Sequence, residues 1–217
     1  MSYVVSFLSG KGGVTKTSKA RAFAVRFRQN DWEVGVLDQD TGQSSFRKWN
    51  ERREAYGHKP SIDVVSGTMR DLEDMKASGK YHMVVVDGAA YGSRDTELAA
   101  LASDMIVVCC RFSLDDMESA VETMNALVLK GVPAERFCVV FSGVPEQRTP
   151  VNYVNALEYM KQTPYYIAAG FIEQKNCITD AQNMGLAMNE VRFPSVRKKI
   201  EQVLESVEQY LEKITSK

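Results

Sequence analysis

The sequence predicts a doubly wound α/β domain, a mostly parallel sheet with helices on both faces. Two observations carry this. Short β-branched runs alternate with longer segments of helical period along the whole chain, the pattern of strands joined by helical crossovers. Runs such as Met83-Val84-Val85-Val86 and Met105-Ile106-Val107-Val108-Cys109-Cys110 are apolar throughout, as expected of strands buried on both faces. No repeat, low-complexity linker or shift in pattern divides the chain, so residues 1–217 read as a single domain.

In order, Tyr3 to Leu8 is the first strand, and a glycine-rich turn leads into a helix over Thr17–Gln29. Ala20, Phe23, Ala24 and Phe27 share one face of that helix at i, i+3, i+4 and i+7. Strands are expected at Glu33–Leu37, Ile62–Val65, His82–Val86, Met105–Cys110, Arg136–Phe141 and about Tyr165–Ala168. Helices fall between them at Gln43–Ala55, Thr68–Ala77, Asp95–Ala102, Asp115–Leu129 and Val151–Lys161. A last helix over Ser195–Ile214 sets Ile200, Val203, Leu204, Val207, Tyr210, Leu211 and Ile214 on one stripe.

Composition narrows the function classes. Hydrophobic residues make up 44% of the 217 and charged residues 25%, which excludes a disordered or collagen-like chain. Lys and Arg number 27 against 28 Asp and Glu, so the net charge of -1 offers no global basic field to nucleic acid. The four cysteines match neither a disulfide framework nor a zinc site, and reduced thiols suit the cytosol. No signal peptide is legible, and no apolar run approaches the ~18 residues of a membrane span. A cytoplasmic protein is expected.

The segment Gly10-Lys11-Gly12-Gly13-Val14-Thr15-Lys16-Thr17-Ser18 leaves a strand and enters a helix. Glycines let the backbone curl until several N–H groups converge on phosphate oxygens, and the helix N-terminus adds partial positive charge. Lys16 is then placed to reach the terminal phosphates, and the Thr17 hydroxyl to ligate Mg²⁺. The strict pattern GxxxxGK[ST] fails at Thr15, which stands where its last glycine belongs.

A second lysine at the front of the loop carries a resemblance. Residues Lys11 to Thr17 resemble the deviant Walker A motif, KGGxxK[ST], of the ParA/MinD family of P-loop ATPases, in which the position of Thr15 is usually Gly but varies. The resemblance implies a P-loop NTPase that binds ATP with Mg²⁺. Lys11 would be the signature lysine, reaching across an ATP-sandwiched homodimer to the partner's phosphates.

Two strands end in acids, as a phosphate cradle for hydrolysis requires. Val34-Gly35-Val36-Leu37-Asp38-Gln39-Asp40 resembles the family's Walker A′ motif, which implies that Asp38 lies near the Mg²⁺ shell and that Asp40 positions the attacking water. His82 to Gly88 resembles a Walker B strand whose Asp87 would hold the metal, through water. Each acid alone reads equally as a solvated strand end or a helix cap. Three acids at the C-terminal edge of buried strands lie where such folds bind ligands. The family's Pro-Gln after its DxD is replaced by Thr41-Gly42-Gln43. Leu101 to Val108 is similar to the strand that follows Walker B. The adenine pocket is sought around Phe141–Arg148 and Phe171–Asn176.

Members of this family are spatial organisers. ATP drives dimerisation, the dimer binds nonspecific DNA, and a ParB-like or other adaptor protein stimulates hydrolysis and release. With the first strand at Tyr3, a small single-domain member without an N-terminal helix-turn-helix is expected, acting in plasmid or chromosome segregation or in positioning of a protein cargo. Lys175, Arg192, Arg197, Lys198 and Lys199 are the candidate DNA patch and read equally as solvated helix ends. The cluster Arg47, Lys48, Arg52 and Arg53, interleaved with Glu51 and Glu54, reads as an exposed helix face. MinD-type relatives bind membrane through a C-terminal amphipathic helix. Here the polar side carries Glu201, Glu205, Glu208 and Glu212, which anionic lipid repels, so no membrane partner is expected.

Other functions on the same scaffold remain open. A metabolic enzyme such as a nitrogenase iron protein or dethiobiotin synthetase is one, but adjacent Cys109-Cys110 in a strand do not suit a cluster at a dimer interface. A bacterial tyrosine kinase is another, and Tyr210 stands alone where a C-terminal tyrosine cluster belongs.

Overall fold

A computed structural model describes residues 2–11, 13, 15–88, 94–145 and 150–216. Within them the chain runs β1 (Tyr3–Leu8), α1 (Lys16–Gln29), β2 (Val34–Asp38), α2 (Ser45–Ala55), β3 (Asp63–Ser66), α3 (Met69–Ala77), β4 (Met83–Asp87), α4 (Arg94–Ala102) and β5 (Met105–Cys110). It continues through α5 (Leu114–Leu129), β6 (Phe137–Pro145), α6 (Pro150–Met160), β7 (Tyr166–Ile167), β8 (Ile172–Gln174), α7 (Asn176–Asn183) and α8 (Pro194–Thr215). The strands form an 8-stranded sheet in the order β3-β2-β4-β1-β5-β6-β7, with β8 paired to β6. Every described pairing is parallel. The doubly wound α/β fold expected from the apolar runs is therefore the fold observed.

Alternation along the strands assigns the two faces. Val5 and Phe7 of β1 point into a core shared with α1, α2, α7 and α8, while Val4 and Leu8 point to the opposite side. That opposite side holds α5 and α6 over one half of the sheet and α3 and α4 over the other. The helix face expected in α1 is buried at all four positions, Ala20, Phe23, Ala24 and Phe27. The stripe of α8 is also buried from Ile200 to Leu211, with Ile214 packed at its edge. Arg26 of α1 reaches Glu208 at 2.6 Å and also pairs with Glu201, fixing α8 by its acidic side. No described helix is long and apolar enough to cross a membrane.

Two elements depart from expectation. β8 and α7 lie where no element was expected, and Lys175 occupies the N-cap position of α7 without a side-chain capping bond. β6 also runs on past Phe141 to Pro145, with an irregular register against β8 between Ser142 and Val144. A three-residue strand beside a bulge carries too little period to be read from sequence. All four cysteines are free, and Cys109, Cys110 and Cys138 are buried. Burial pushes the Cys110 thiol up to about 12 and the other two upward as well, which suits inert packing groups.

Arg53 ties α2 to the chain that follows α7. Its side chain is 0% exposed and grips Glu190 with two bonds of 2.6 and 2.9 Å. It also donates to the carbonyls of Lys59, Pro60 and Gly185 at 2.8 to 3.1 Å. Replacing it by an apolar residue leaves a half-buried carboxylate and three carbonyls without their cation. Arg53→Met is expected to cost about 3 kcal/mol in urea unfolding. A loss below about 0.5 kcal/mol, the range of neutral surface changes, would contradict this reading.

Candidate nucleotide site

The site forms at the C-terminal edge of the sheet, where β1, β2 and β4 end side by side. Ser9 and Gly10 follow β1. A Cβ on Gly10 would lie 2.6 Å from Ser119 Oγ and 2.8 Å from Ser119 O of α5, so only glycine lets the loop leave the strand this close to that helix. Gly13 has φ +75, the left-handed region. Thr15 also lies there, at φ 56 and ψ 32, and it precedes α1 without a side-chain cap. Gly12 and Val14, the other two loop positions assigned to phosphate binding, lie outside the described residues.

α1 therefore begins with uncapped N–H groups, and its first turn holds no acidic residue. An uncompensated helix N-terminus attracts anions. Lys16, Thr17 and Ser18 are half-buried there. The Lys16 ammonium pairs with Asp87 Oδ1 at 2.6 Å and donates to the Gly88 carbonyl. Lys11 stands at the front of the loop with its side chain 45% exposed, 3.6 Å from Asp116 of α5. That contact is long for a hydrogen bond and leaves the ammonium loosely held.

The carboxylates come from adjacent strands in the same register, Asp38 opposite Asp87. Asp38 is wholly buried. Its Oδ1 accepts from the Asp40 N–H at 3.2 Å, and its Oδ2 from the N–H groups of Phe46 and Arg47 at 3.1 and 3.3 Å, so it caps the start of α2. Burial and then the Asp87 charge push its carboxyl above the usual range, while those three donors pull it down. Asp40 stands two residues on, half-buried, its Oδ1 accepting from the Gln43 N–H at 3.1 Å.

These groups suit a divalent cation in kind. The Asp87 charge raises the Asp38 carboxyl, Thr17 stands in the first turn of α1 next to Lys16, and the buried Gln39 Oε1 beside Gly88 has no hydrogen-bond partner. Hard oxygen donors of this sort, completed by water and phosphate, are how Mg²⁺ is held. Asp87, Asp38 and Thr17 are the groups that would hold it.

Three cations that sequence reasoning did not single out complete the site. Lys19, one turn into α1, is 1% exposed and reaches back to Thr15. Burial pushes its ammonium down to about 8, and Arg111 and Lys16 push the same way. Arg111, just after β5, donates to the Gly13 carbonyl at 2.5 Å. Arg21 lies over the rings of Phe46 and Trp49, bonded to Gln182 at 3.0 Å and to the Ser45 carbonyl. Only their shared proximity to one loop reveals them, and no motif encodes that.

Beside the loop opens a cleft of about 230 Å³. Thr15 and Ser18 form its inner wall, Gly143 and Ile172 to Lys175 its outer one, and Thr179 and Gln182 of α7 its floor. Both segments in which an adenine pocket was sought contribute to it, although residues 146–149 lie outside the described chain. Of the candidate DNA residues, Lys175 lines this cleft and pairs with Glu173 at 3.2 Å. Lys199 shares Glu173 at 3.1 Å, Arg192 lies over the Phe193 ring, and Arg192, Arg197 and Lys198 are exposed around the start of α8.

Removing Lys16 strands Asp87. Lys16→Met is expected to cost about 3 kcal/mol in nucleotide-free urea unfolding, most of it recovered in Lys16→Met/Asp87→Asn. Equal losses in the single and double variants would show that the pair is not coupled.

No protein-family model and no curated protein matches the sequence. Solved structures do match the fold. MinD in the MinC:MinD cell division protein complex of Aquifex aeolicus is 16% identical with a TM-score of 0.74, covering 96% of each chain. A ParA family ATPase from Chlorobium tepidum is 15% identical with a TM-score of 0.72, covering 95% of this chain and 99% of that one. A plasmid partition protein, so described provisionally, from Borrelia burgdorferi bound to AMPPNP is 18% identical with a TM-score of 0.70, covering 96% and 99%. At these identities the likeness is one of fold, and the chain has the P-loop NTPase fold of MinD and ParA ATPases.

Proposed function

We propose that this chain is a Mg²⁺-dependent ATPase of the ParA/MinD kind, binding ATP in the loop between β1 and α1. One observation carries the reading. Lys16, at an uncompensated helix N-terminus, is paired with the strand-end acid Asp87, next to Asp38 in register. The fold it stands on is shared with an AMPPNP-bound structure.

The phosphate chain takes the place of Asp87 as the partner of Lys16. Its oxygens receive the loop and α1 N–H groups, and Ser18 and the cleft beside it accept the base. Released from Lys16, Asp87 would help hold the metal with Thr17, with Asp38 beside it still capping α2. Mg²⁺, when bound, supplies neutralisation of the charge that gathers on the phosphoryl oxygens. Asp40 holds the attacking water, its backbone fixed by its own N–H to Asp38. Lys11, exposed and weakly engaged, is free to reach the phosphates of a second copy in a homodimer.

Beyond hydrolysis, the reading is a partition or positioning protein. The ATP dimer binds nonspecific DNA through Arg192, Arg197, Lys198 and Lys199, with Lys175 at the cleft, and a ParB-like or other adaptor protein releases it by stimulating turnover. Two observations and a symmetry argument support this. Cations cluster around the start of α8, where the helix dipole gains nothing from them. A two-fold dimer doubles the patch. The apolar face of α8 is occupied by the core, which supports a cytoplasmic, nucleoid-associated protein without a membrane partner.

Lys16→Ala should weaken ATP binding at least about tenfold, whereas Lys11→Ala and Asp40→Ala should retain binding and lose at least about tenfold in turnover. Unchanged turnover in either would contradict the assigned roles. Binding to a random-sequence duplex should need ATP, fall steeply with salt, and weaken in Arg197→Glu/Lys198→Glu. ATP-independent binding, or none, would remove DNA from the proposal and leave the ATPase standing.

A further inference from the structure

Thr15 poses a problem that the loop has to solve. A β-branched residue in the left-handed region is a conformational outlier, and glycine is the residue that reaches it without penalty. Thr15 nevertheless holds φ 56 and ψ 32 at the point where the loop turns into α1.

The partner is one helical turn away. A helical side chain tilts toward the N-terminus and so covers the residue four positions before it. Lys19 is the fourth residue after Thr15, and its Nζ donates to Thr15 Oγ1 at 2.6 Å and to the Thr15 carbonyl at 3.0 Å. Both bonds are made from within the protein, since Lys19 is 1% exposed. Burial and the like charges of Arg111 and Lys16 make this a costly place for a cation, and two of the bonds Lys19 makes there go to Thr15.

We propose that Lys19 is a positioning residue for the phosphate loop, holding Thr15 in the left-handed turn that glycine adopts unaided. Thr15 and Lys19 form one functional unit in place of a single glycine. This rests on the ATP-binding reading above, since the geometry it preserves is that of the loop N–H groups and of Lys16, the next residue. It predicts coupling between the two positions: Lys19 matters more while position 15 is threonine than when it is glycine.

The test is a four-protein comparison of wild type, Thr15→Gly, Lys19→Met and Thr15→Gly/Lys19→Met. ATP affinity is read by displacement of a fluorescent ATP analogue, and stability by thermal unfolding without nucleotide. Lys19→Met is expected to weaken ATP affinity at least about tenfold in the wild-type background, and by no more than about threefold when added to Thr15→Gly. A lysine with a merely structural role would lower affinity as much in the Thr15→Gly background, and that additive result would overturn the proposal. If Lys19→Met alone fails to fold, a double variant that folds and binds ATP supports the proposal, and one that also fails to fold overturns it. A wild-type protein that binds no ATP would overturn the ATPase reading and this inference with it. Additive effects in a wild type that does bind would overturn only this inference.

Discussion

Asp38 and Asp87 end neighbouring strands in the same register, and both are buried. Two carboxylates in that position repel each other across a low-dielectric edge, and the surrounding structure is arranged around relieving that repulsion. Asp38 is met by the Asp40 N–H and by two backbone donors at the start of α2, which fixes where α2 begins. Asp87 is met by Lys16, which fixes the first turn of α1 against β4. Each acid thus organises the helix that follows a different strand, and the two helix starts frame one anion-attracting edge.

The same constraint bears on the proposed function. Lys16 serves Asp87; on that proposal a phosphate chain at the loop would give Lys16 a stronger anionic partner and leave Asp87 for a divalent cation. A nucleotide and its metal would thus exchange partners with groups already present. Neither needs a buried charge to be left alone, an arrangement that costs several kcal/mol in the absence of compensation. The positive lining of the loop also exceeds what the phosphate motif requires. Lys19 and Arg111 each hold a loop residue from behind, one at Thr15 and the other at Gly13. Their charge reinforces the helix N-terminus, while their hydrogen bonds keep the loop shaped for a ligand.

How much of this was legible depends on the range of the interaction. Strands such as Met105–Cys110 announce themselves because both faces are apolar, and their ends fall within a residue of expectation. Lys16, Asp38 and Asp87 were legible because a motif states their order along the chain. The burial of the α8 stripe was legible from its period and from glutamates on its other side. β8 and α7 were not, because a three-residue strand paired through a bulge has no period of its own. Lys19 and Arg111 were not, because their meaning lies in contacts made across the loop, and a lysine in a helix reads by default as a solvated one. Arg53 was misjudged for the same reason. Read with Arg47, Lys48 and Arg52 as part of an exposed face, it is instead wholly buried on Glu190.

The most direct test is a crystal structure of the protein with AMPPNP and Mg²⁺. The exchange described above requires the Lys16 ammonium to leave Asp87 for the terminal phosphates, with Asp87 and Thr17 turned toward the metal and Asp38 still capping α2. A nucleotide bound elsewhere, or a Lys16–Asp87 pair intact beside a bound nucleotide, would contradict it.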